Sequence, residues 1–225
     1  LKEIHEQPTA LRQAISGRID QVHGEVDLEL DLPAEYLNSL EEVQFVACGT
    51  SYNAGLYAAK LFEEYADVRA SAEIASEYEF TGGRDPWRTL VVAVTQSGET
   101  ADTLSALRRA KRAGARTLAV TNTLGSTVTR EADDTVFIRA GPEIGVAATK
   151  TFCSQVATLA LVTVHIGRER GTISSAEARE LLSDLRGLPG AVQQVLDRED
   201  QVRVAAEEYG DGDAFFFIGR RLGAP

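Results

Sequence analysis

Methionine is absent from all 225 residues, and cysteine, histidine and tryptophan number only two, three and one. The histidines, His5, His23 and His165, lie far apart, and Cys48 and Cys153 share no C-x-x-C or other ligand spacing, so no metal site can be read from them. Two unpaired thiols point to a reducing, cytoplasmic compartment. Cys48 closes an apolar run and reads as a small buried residue at a strand end rather than as a nucleophile. His165 falls near the end of a long helical pattern, where the helix dipole favours it. Long apolar runs are also missing: Val156 to Ile166 is too short to span a bilayer and is broken by threonines and a histidine. The first ten residues are polar and carry Pro8, unlike a signal peptide. A basic excess is missing too. With 34 acidic and 23 basic residues the net charge is −11, which argues against nucleic acid or an anionic membrane as partner and fits a well-solvated, salt-adapted surface. Finally, no G-x-G-x-x-G follows the first strand and no G-x-x-x-x-G-K-[ST] occurs, so dinucleotide and P-loop readings lose their physical basis. No solenoid repeat is visible.

What is present is alternation. An apolar content of 44% with 25% charged residues is that of a globular protein. After a polar opening with helical spacing at Leu11, Ile15 and Ile19, the pattern predicts strands at 43–47, 70–74, 89–94, 117–121 and 135–138. Helices are expected at 52–65, with Leu56, Ala59, Leu61 and Phe62 inward, at 101–113, ended by Gly114, and at 147–166, closed by Gly167. Short, near-continuous apolar strands between helices indicate an α/β fold: a three-layer α/β/α domain around a mainly parallel sheet. Ser174 and Glu177 form a capping-box pattern, and Pro189 is expected to divide two connector helices. Ala214 to Arg220 reads as a further strand feeding a loop, half of a βαβ unit. With no methionine at position 1, the chain therefore reads as a piece of a longer protein.

The most informative stretch is Thr95-Gln96-Ser97-Gly98-Glu99-Thr100, between a buried strand and a helix. A helix start offers unsatisfied N–H groups and partial positive charge, which suits an anion. Three hydroxyls and an amide add neutral donors, and Gly98 lets backbone come close. Simple N-capping by Ser97 or Thr100 would need only one hydroxyl. The loop after the first strand, Cys48-Gly49-Thr50-Ser51-Tyr52-Asn53, is again glycine with hydroxyls, and Ala140 to Ala147 follows the last strand. In an open parallel sheet these loops are expected to converge beyond the strands' carboxyl ends. The Thr95–Thr100 loop has some likeness to a flavin-mononucleotide phosphate loop, but it follows the wrong strand, and Trp87 is misplaced for stacking. A small phosphorylated sugar suits the polar lining better.

Cys48-Gly49-Thr50-Ser51, Gln96 to Leu104 and Glu143-Ile144-Gly145-Val146-Ala147 together resemble the sugar-isomerase (SIS) domain. The resemblance is greatest to the isomerase half of the glutamine–fructose-6-phosphate aminotransferase family, whose opening segment is similar to Lys2-Glu3-Ile4-His5-Glu6-Gln7-Pro8. It runs essentially from end to end and implies binding of fructose 6-phosphate or glucosamine 6-phosphate. It puts the phosphate on Thr95, Gln96, Ser97, Gly98 and Thr100, and the sugar near Thr50, Ser51 and the Val146 carbonyl. Thr95 stands where the family more often has serine, which keeps the hydroxyl. The family's ring-opening histidine, proton-shuttling glutamate and Schiff-base lysine lie in a second SIS unit and the C-terminal tail. The glutaminase domain and that second unit are accordingly expected to be missing, and no catalytic residue and no cofactor is assigned here. Lys150 could be an amine nucleophile, but it reads better as a first-turn charge facing solvent or a carboxylate. The expected organisation is an opening segment at 1–35, a first SIS domain at 36–170, connector helices at 171–210 and the start of a second SIS domain at 211–225. A homodimer is the expected assembly, and the chain alone is expected to be inactive. Another SIS enzyme, a sugar-phosphate isomerase or an etherase, stays open as an alternative. A sensor module does too, although the basic helix-turn-helix of such regulators is lacking.

Overall fold

The computed structural model describes residues 1–80, 85–212, 214–216 and 218–220. Five strands form one parallel sheet: β3 (Glu42–Ala47), β4 (Arg69–Ile74), β5 (Thr89–Val94), β6 (Arg116–Thr121) and β7 (Asp134–Phe137), in the order β4-β3-β5-β6-β7. Before it come the short helices α1 (Lys2–His5), α2 (Gln7–Ile15) and α3 (Ala34–Ser39), with a two-stranded antiparallel pair of β1 (Ile19–Asp20) and β2 (Glu25–Val26). The helices α4 (Thr50–Leu61), α5 (Ala101–Ala113), α6 (Thr127–Glu131) and α7 (Lys150–Glu169) follow strands of the sheet. The chain then runs through α8 (Ser175–Leu196) and α9 (Glu199–Tyr209).

Side-chain alternation along the strands divides the interior in two. Val43, Phe45, Leu90, Val92, Val94, Leu118 and Val120 face α4 and α7, where Phe45 meets Phe62 edge-on at 5.4 Å between ring centres. Val46, Val91, Ala93 and Ala119 face Leu104, Leu107 and Ala110 of α5 and Val128 of α6. Each wholly buried aliphatic side chain contributes roughly 1.5–3 kcal/mol, so both faces anchor the strands. Small residues let α4 lie close: a Cβ on Gly55 would be 3.1 Å from that of Phe45. The fold is thus the expected parallel α/β/α arrangement.

Several expected boundaries move, each for a local reason. The opening helix stops at Ile15, and Ile19 instead pairs with Val26. Helix α4 begins at Thr50 and passes at Phe62 into one π-helical turn (Phe62–Ala66) ended by left-handed Asp67; its inward residues are Ala54, Gly55, Ala58 and Ala59, with Leu56 only half-buried. Helix α7 starts at Lys150, not Ala147, because the Glu143 carboxylate caps that point. Gly167 lies inside α7 rather than closing it, under Ile173, whose Cγ1 would be 2.7 Å from an added Cβ. The Ser174–Glu177 capping box forms, but α8 continues through buried Pro189, so the proline removes one backbone bond without ending the helix. Ala214–Phe216 and Ile218–Arg220 lie in no strand, and Phe217 is outside the described residues. Phe216 and Ile218 are at least 90% exposed, and the segment joins neither sheet among the described residues.

Candidate functional site at the sheet's switch point

From β3 the chain crosses through α4 to β4 on one side, and from β5 through α5 to β6 on the other. Helices α4 and α5 cover opposite faces, so the loops after β3 and β5 part from each other. The crevice between such loops is where open parallel sheets bind ligands. Thr50 and Ser51 open α4 on one side, and Thr95 to Thr100 lead into α5 on the other.

The Thr95–Thr100 loop is folded by its own side chains. The Thr95 hydroxyl, almost fully buried, accepts the Gly98 amide at 3.2 Å and meets the Thr100 hydroxyl at 3.4 Å. The Ser97 hydroxyl accepts the Glu99 amide at 3.2 Å. Thr100 is the N-cap of α5 but makes no side-chain capping bond, and the first helical bond runs from the Leu104 amide to the Thr100 carbonyl. Among the described residues the first turn of α5 is therefore left without a side-chain cap. Gly98 has a φ of +71°, and a Cβ there would be 2.6 Å from Ser126 Cβ and 2.9 Å from Val128 Cγ1. Its close approach is thus to the start of α6, which it also ties through the Val128 amide at 3.0 Å, while Glu99 accepts the Thr127 amide at 2.8 Å.

Gly49, at φ 58° and ψ −139°, occupies backbone space suited to glycine and turns the chain into α4. The Ser51 hydroxyl accepts Gln155 Nε2 at 2.9 Å, and Gln155 lies buried on α7. Gln96 bridges outward: its Nε2 donates to the Glu143 carbonyl at 3.1 Å, and its own carbonyl accepts the Asn122 amide at 3.1 Å. Asn122 in turn donates to the Gly141 carbonyl at 2.6 Å and accepts the Ala140 amide at 2.9 Å. The loop after β7 is thereby laced to the loop after β5. Val146 stands apart, wholly exposed and without a hydrogen bond among the described residues.

Glu143 accepts the Thr149 amide and hydroxyl at 2.9 and 3.0 Å and the Lys150 amide at 3.0 Å, and it is bonded to the Thr151 hydroxyl. Burial raises its pKa, but these bonds from Thr151, Thr149 and Lys150 outweigh burial and hold the carboxyl below the ordinary value. Lys150 is buried, and its Nζ meets Glu6 Oε2 at 2.6 Å, so it faces a carboxylate, as expected, but not solvent. Burial pushes the Cys153 thiol up, its Sγ lies 2.9 Å from Gln7 Oε1, and Cys48 is half-buried. The histidines are engaged away from the switch point, His5 with Glu199, His23 with Asp20 and His165 with the Val26 carbonyl, which explains His165 more directly than the helix dipole does.

Sequence reasoning missed Gln155, Asn122, Glu3 and the capping role of Glu143. A glutamine in the apolar pattern of α7 was the one local signal for Gln155; Asn122 and Glu3 act across longer sequence separations, and Glu143 caps α7 from seven residues before Lys150.

A parallel sheet whose hydroxyl-rich loops open helices on both sides of its switch point defines an α/β domain with its ligand crevice at this edge. The SIS domain description matches residues 36–165, and the chain belongs to the SIS-domain family. Over its full length it is 64% identical to the glutamine–fructose-6-phosphate aminotransferase [isomerizing] of Halobacterium salinarum, of which it spans 37%. A protein of that name from Thermus thermophilus is 46% identical over 229 aligned residues, again with 37% of its length spanned. The C-terminal domain of glucosamine-fructose-6-phosphate aminotransferase from Francisella tularensis superposes with a TM-score of 0.90 at 35% identity, covering 98% of this chain and 62% of that one. The chain thus spans little more than a third of the curated relatives it matches.

Proposed function

We propose that this chain is the part of a glucosamine-6-phosphate-forming aminotransferase that holds fructose 6-phosphate, the whole enzyme taking its nitrogen from glutamine and releasing glutamate. The observation that carries this reading is the Thr95–Thr100 loop at the switch point, entering a helix whose first turn lacks a side-chain cap. Ser97 and Thr100 hydroxyls and first-turn amides are suited to the phosphate, with Gln96 and Thr95 shaping the loop and Gly98 fixing its backbone. Thr50 and Ser51, across the crevice, and the Val146 carbonyl are assigned to the sugar.

Amination of a ketose phosphate needs an amine to form the imine and a group that moves a proton between adjacent carbons. Near these loops Lys150 is paired with Glu6, and Glu143 is occupied as a helix cap. The reading therefore assigns this chain substrate binding, with the acid–base steps belonging to the rest of the enzyme. The same reading gives an opening segment at 1–35, a first SIS domain at 36–170, connector helices at 171–210 and a second SIS domain starting at 211. A homodimer in the cytoplasm belongs to it as well. Exposed Leu124, Ile144 and Val146 around the crevice fit a rim that other parts of the enzyme cover, and the two free cysteines fit a reducing compartment. Among the described residues no helix is long and apolar enough to cross a membrane.

Calorimetric titration of the chain with fructose 6-phosphate tests the reading. Binding that weakens by about 10- to 100-fold in Ser97→Ala, the loss of one hydrogen bond to a charged group, is the expected result. Equal affinity in both proteins, or none in the unaltered chain, would remove the assignment.

A further inference from the structure

The loop from Ala140 to Thr149 has little apolar packing to hold it: Ile144 is 90% exposed and Val146 wholly so. Polar bonds hold it instead, and they come from two directions. On the sheet side are Asn122 and Gln96, as described above. On the other side is the start of the chain. Glu3 Oε1 accepts the Ile144 amide at 2.7 Å, and its Oε2 accepts the Gly145 amide at 3.1 Å. Glycine is fitted to that contact, since a Cβ at Gly145 would be 2.6 Å from Glu3 Oε2. Glu6 takes buried Lys150 at 2.6 Å, where α7 begins. Gln7 Oε1 lies 2.9 Å from Cys153 Sγ, one helical turn further on.

Glu3 lies on α1, Glu6 joins α1 to α2 in helical conformation and Gln7 opens α2; at i, i+3 and i+4 the three share one face, so the α1–α2 junction grips the loop at 144–145 and the helix start at 150–153. The grip continues inward, because the carbonyl of Glu143, next to Ile144 in this loop, accepts Gln96 of the Thr95–Thr100 loop. None of Glu3, Glu6 and Gln7 belongs to the loops that flank the crevice.

We infer that the α1–α2 junction is a clamp on the sugar-phosphate site, with Glu3 and Glu6 as positioning residues that set the Ala140–Thr149 loop and, through Gln96, the phosphate loop. The inference rests on the proposed function for the ligand, but its geometry can be tested without one. Glu3 holds two exposed loop amides that water would otherwise take, and Glu6 neutralises a lysine buried beside the capped start of α7. Releasing either lets the loop take other conformations and lowers the fraction of molecules ready to bind, so affinity falls without loss of any ligand contact.

Hydrogen–deuterium exchange of the unliganded chain, read by NMR, decides the matter together with fructose 6-phosphate titration. In Glu3→Ala, exchange at the Ile144 and Gly145 amides is expected to quicken at least about tenfold, exchange at Gly98 and Glu99 is expected to quicken too, and the sheet amides are expected to stay unchanged. Sugar-phosphate affinity is expected to drop about fivefold. Glu3→Gln, which keeps one acceptor oxygen, should recover part of both effects, a rescue that a general packing defect would not show. Gly145→Ala displaces the Glu3 carboxylate from the loop side and should act like Glu3→Ala with the α1–α2 junction unaltered. If Glu3→Ala quickens only Ile144 and Gly145, or if Gly98 and Glu99 keep their protection in both variants, the clamp is refuted whether or not sugar binds. Failure of the unaltered chain to bind fructose 6-phosphate would instead count against the proposed function, with the exchange pattern still deciding the clamp.

Discussion

The loops after β5 and β7 meet at the same sheet edge but are built in opposite ways. The Thr95–Thr100 loop is folded largely by its own hydroxyls, Thr95 to Gly98 and Ser97 to Glu99, and backed by Gly98 against Ser126. The Ala140–Thr149 loop takes its main holds from Asn122, Gln96, Glu3 and Glu6, over long stretches of sequence, with Glu143 as its one local bracket. A loop folded from within feels its neighbour mainly at one point, where Gln96 donates to the Glu143 carbonyl. A loop held from outside can respond to the elements that hold it.

The largest effect expected from breaking this contrast is at Gly98. Gly98→Ala places a Cβ against Ser126 and Val128 at a left-handed φ, so a cost of about 3 kcal/mol is expected from strain and crowding together. Thermal unfolding should show it as a fall of about 10 °C in Tm. Glu143→Ala, which strips the bracket of the other loop, should cost about 2 kcal/mol, as for loss of a strong N-cap, and lower Tm by about 6 °C.

Acid should sharpen the same difference. The folded Glu143 carboxyl is held below its ordinary value, chiefly against burial, by bonds from Thr151, Thr149 and Lys150. Its stabilisation is therefore complete above the unfolded carboxylate value of about 4.3 and is lost as pH falls through the lower folded value. The Lys150 bond likewise holds Glu6 low, so its contribution fades in the same acid window. Tm measured from pH 6 downwards should drop less steeply in Glu143→Ala than in the unaltered chain, and parallel curves would show that Glu143 is not the titrating bracket. At the small end, Val146→Ala removes an exposed side chain and leaves the carbonyl assigned to the sugar. Stability should change by less than about 0.5 kcal/mol, and affinity for fructose 6-phosphate should be unchanged.

This contrast also explains what was legible in the sequence. Strand–helix alternation and the Thr95–Thr100 pattern are local, so the parallel sheet could be read from the apolar runs between Val43 and Ile138, and the position of the hydroxyl-rich loop from Leu90 to Thr100, although its internal bonds could not. The capping box at Ser174 and Glu177 formed for the same reason. The misplaced start of α7 depended on where the Glu143 side chain turned, and the uninterrupted α8 on packing that buries Pro189. Gly98 was read as letting the backbone come close to an anion; that its missing side chain also leaves space for Ser126 could not be read locally. Glu3 carries no signature of its own, because its partners lie more than 140 residues away.

Whether a sugar phosphate sits at the start of α5 is decided by a crystal structure of the chain soaked with fructose 6-phosphate. Phosphate density is expected within hydrogen-bond distance of the Ser97 and Thr100 hydroxyls, with the sugar reaching across the crevice towards Ser51. Phosphate density in another loop, with the Thr95–Thr100 loop empty, would contradict that placement.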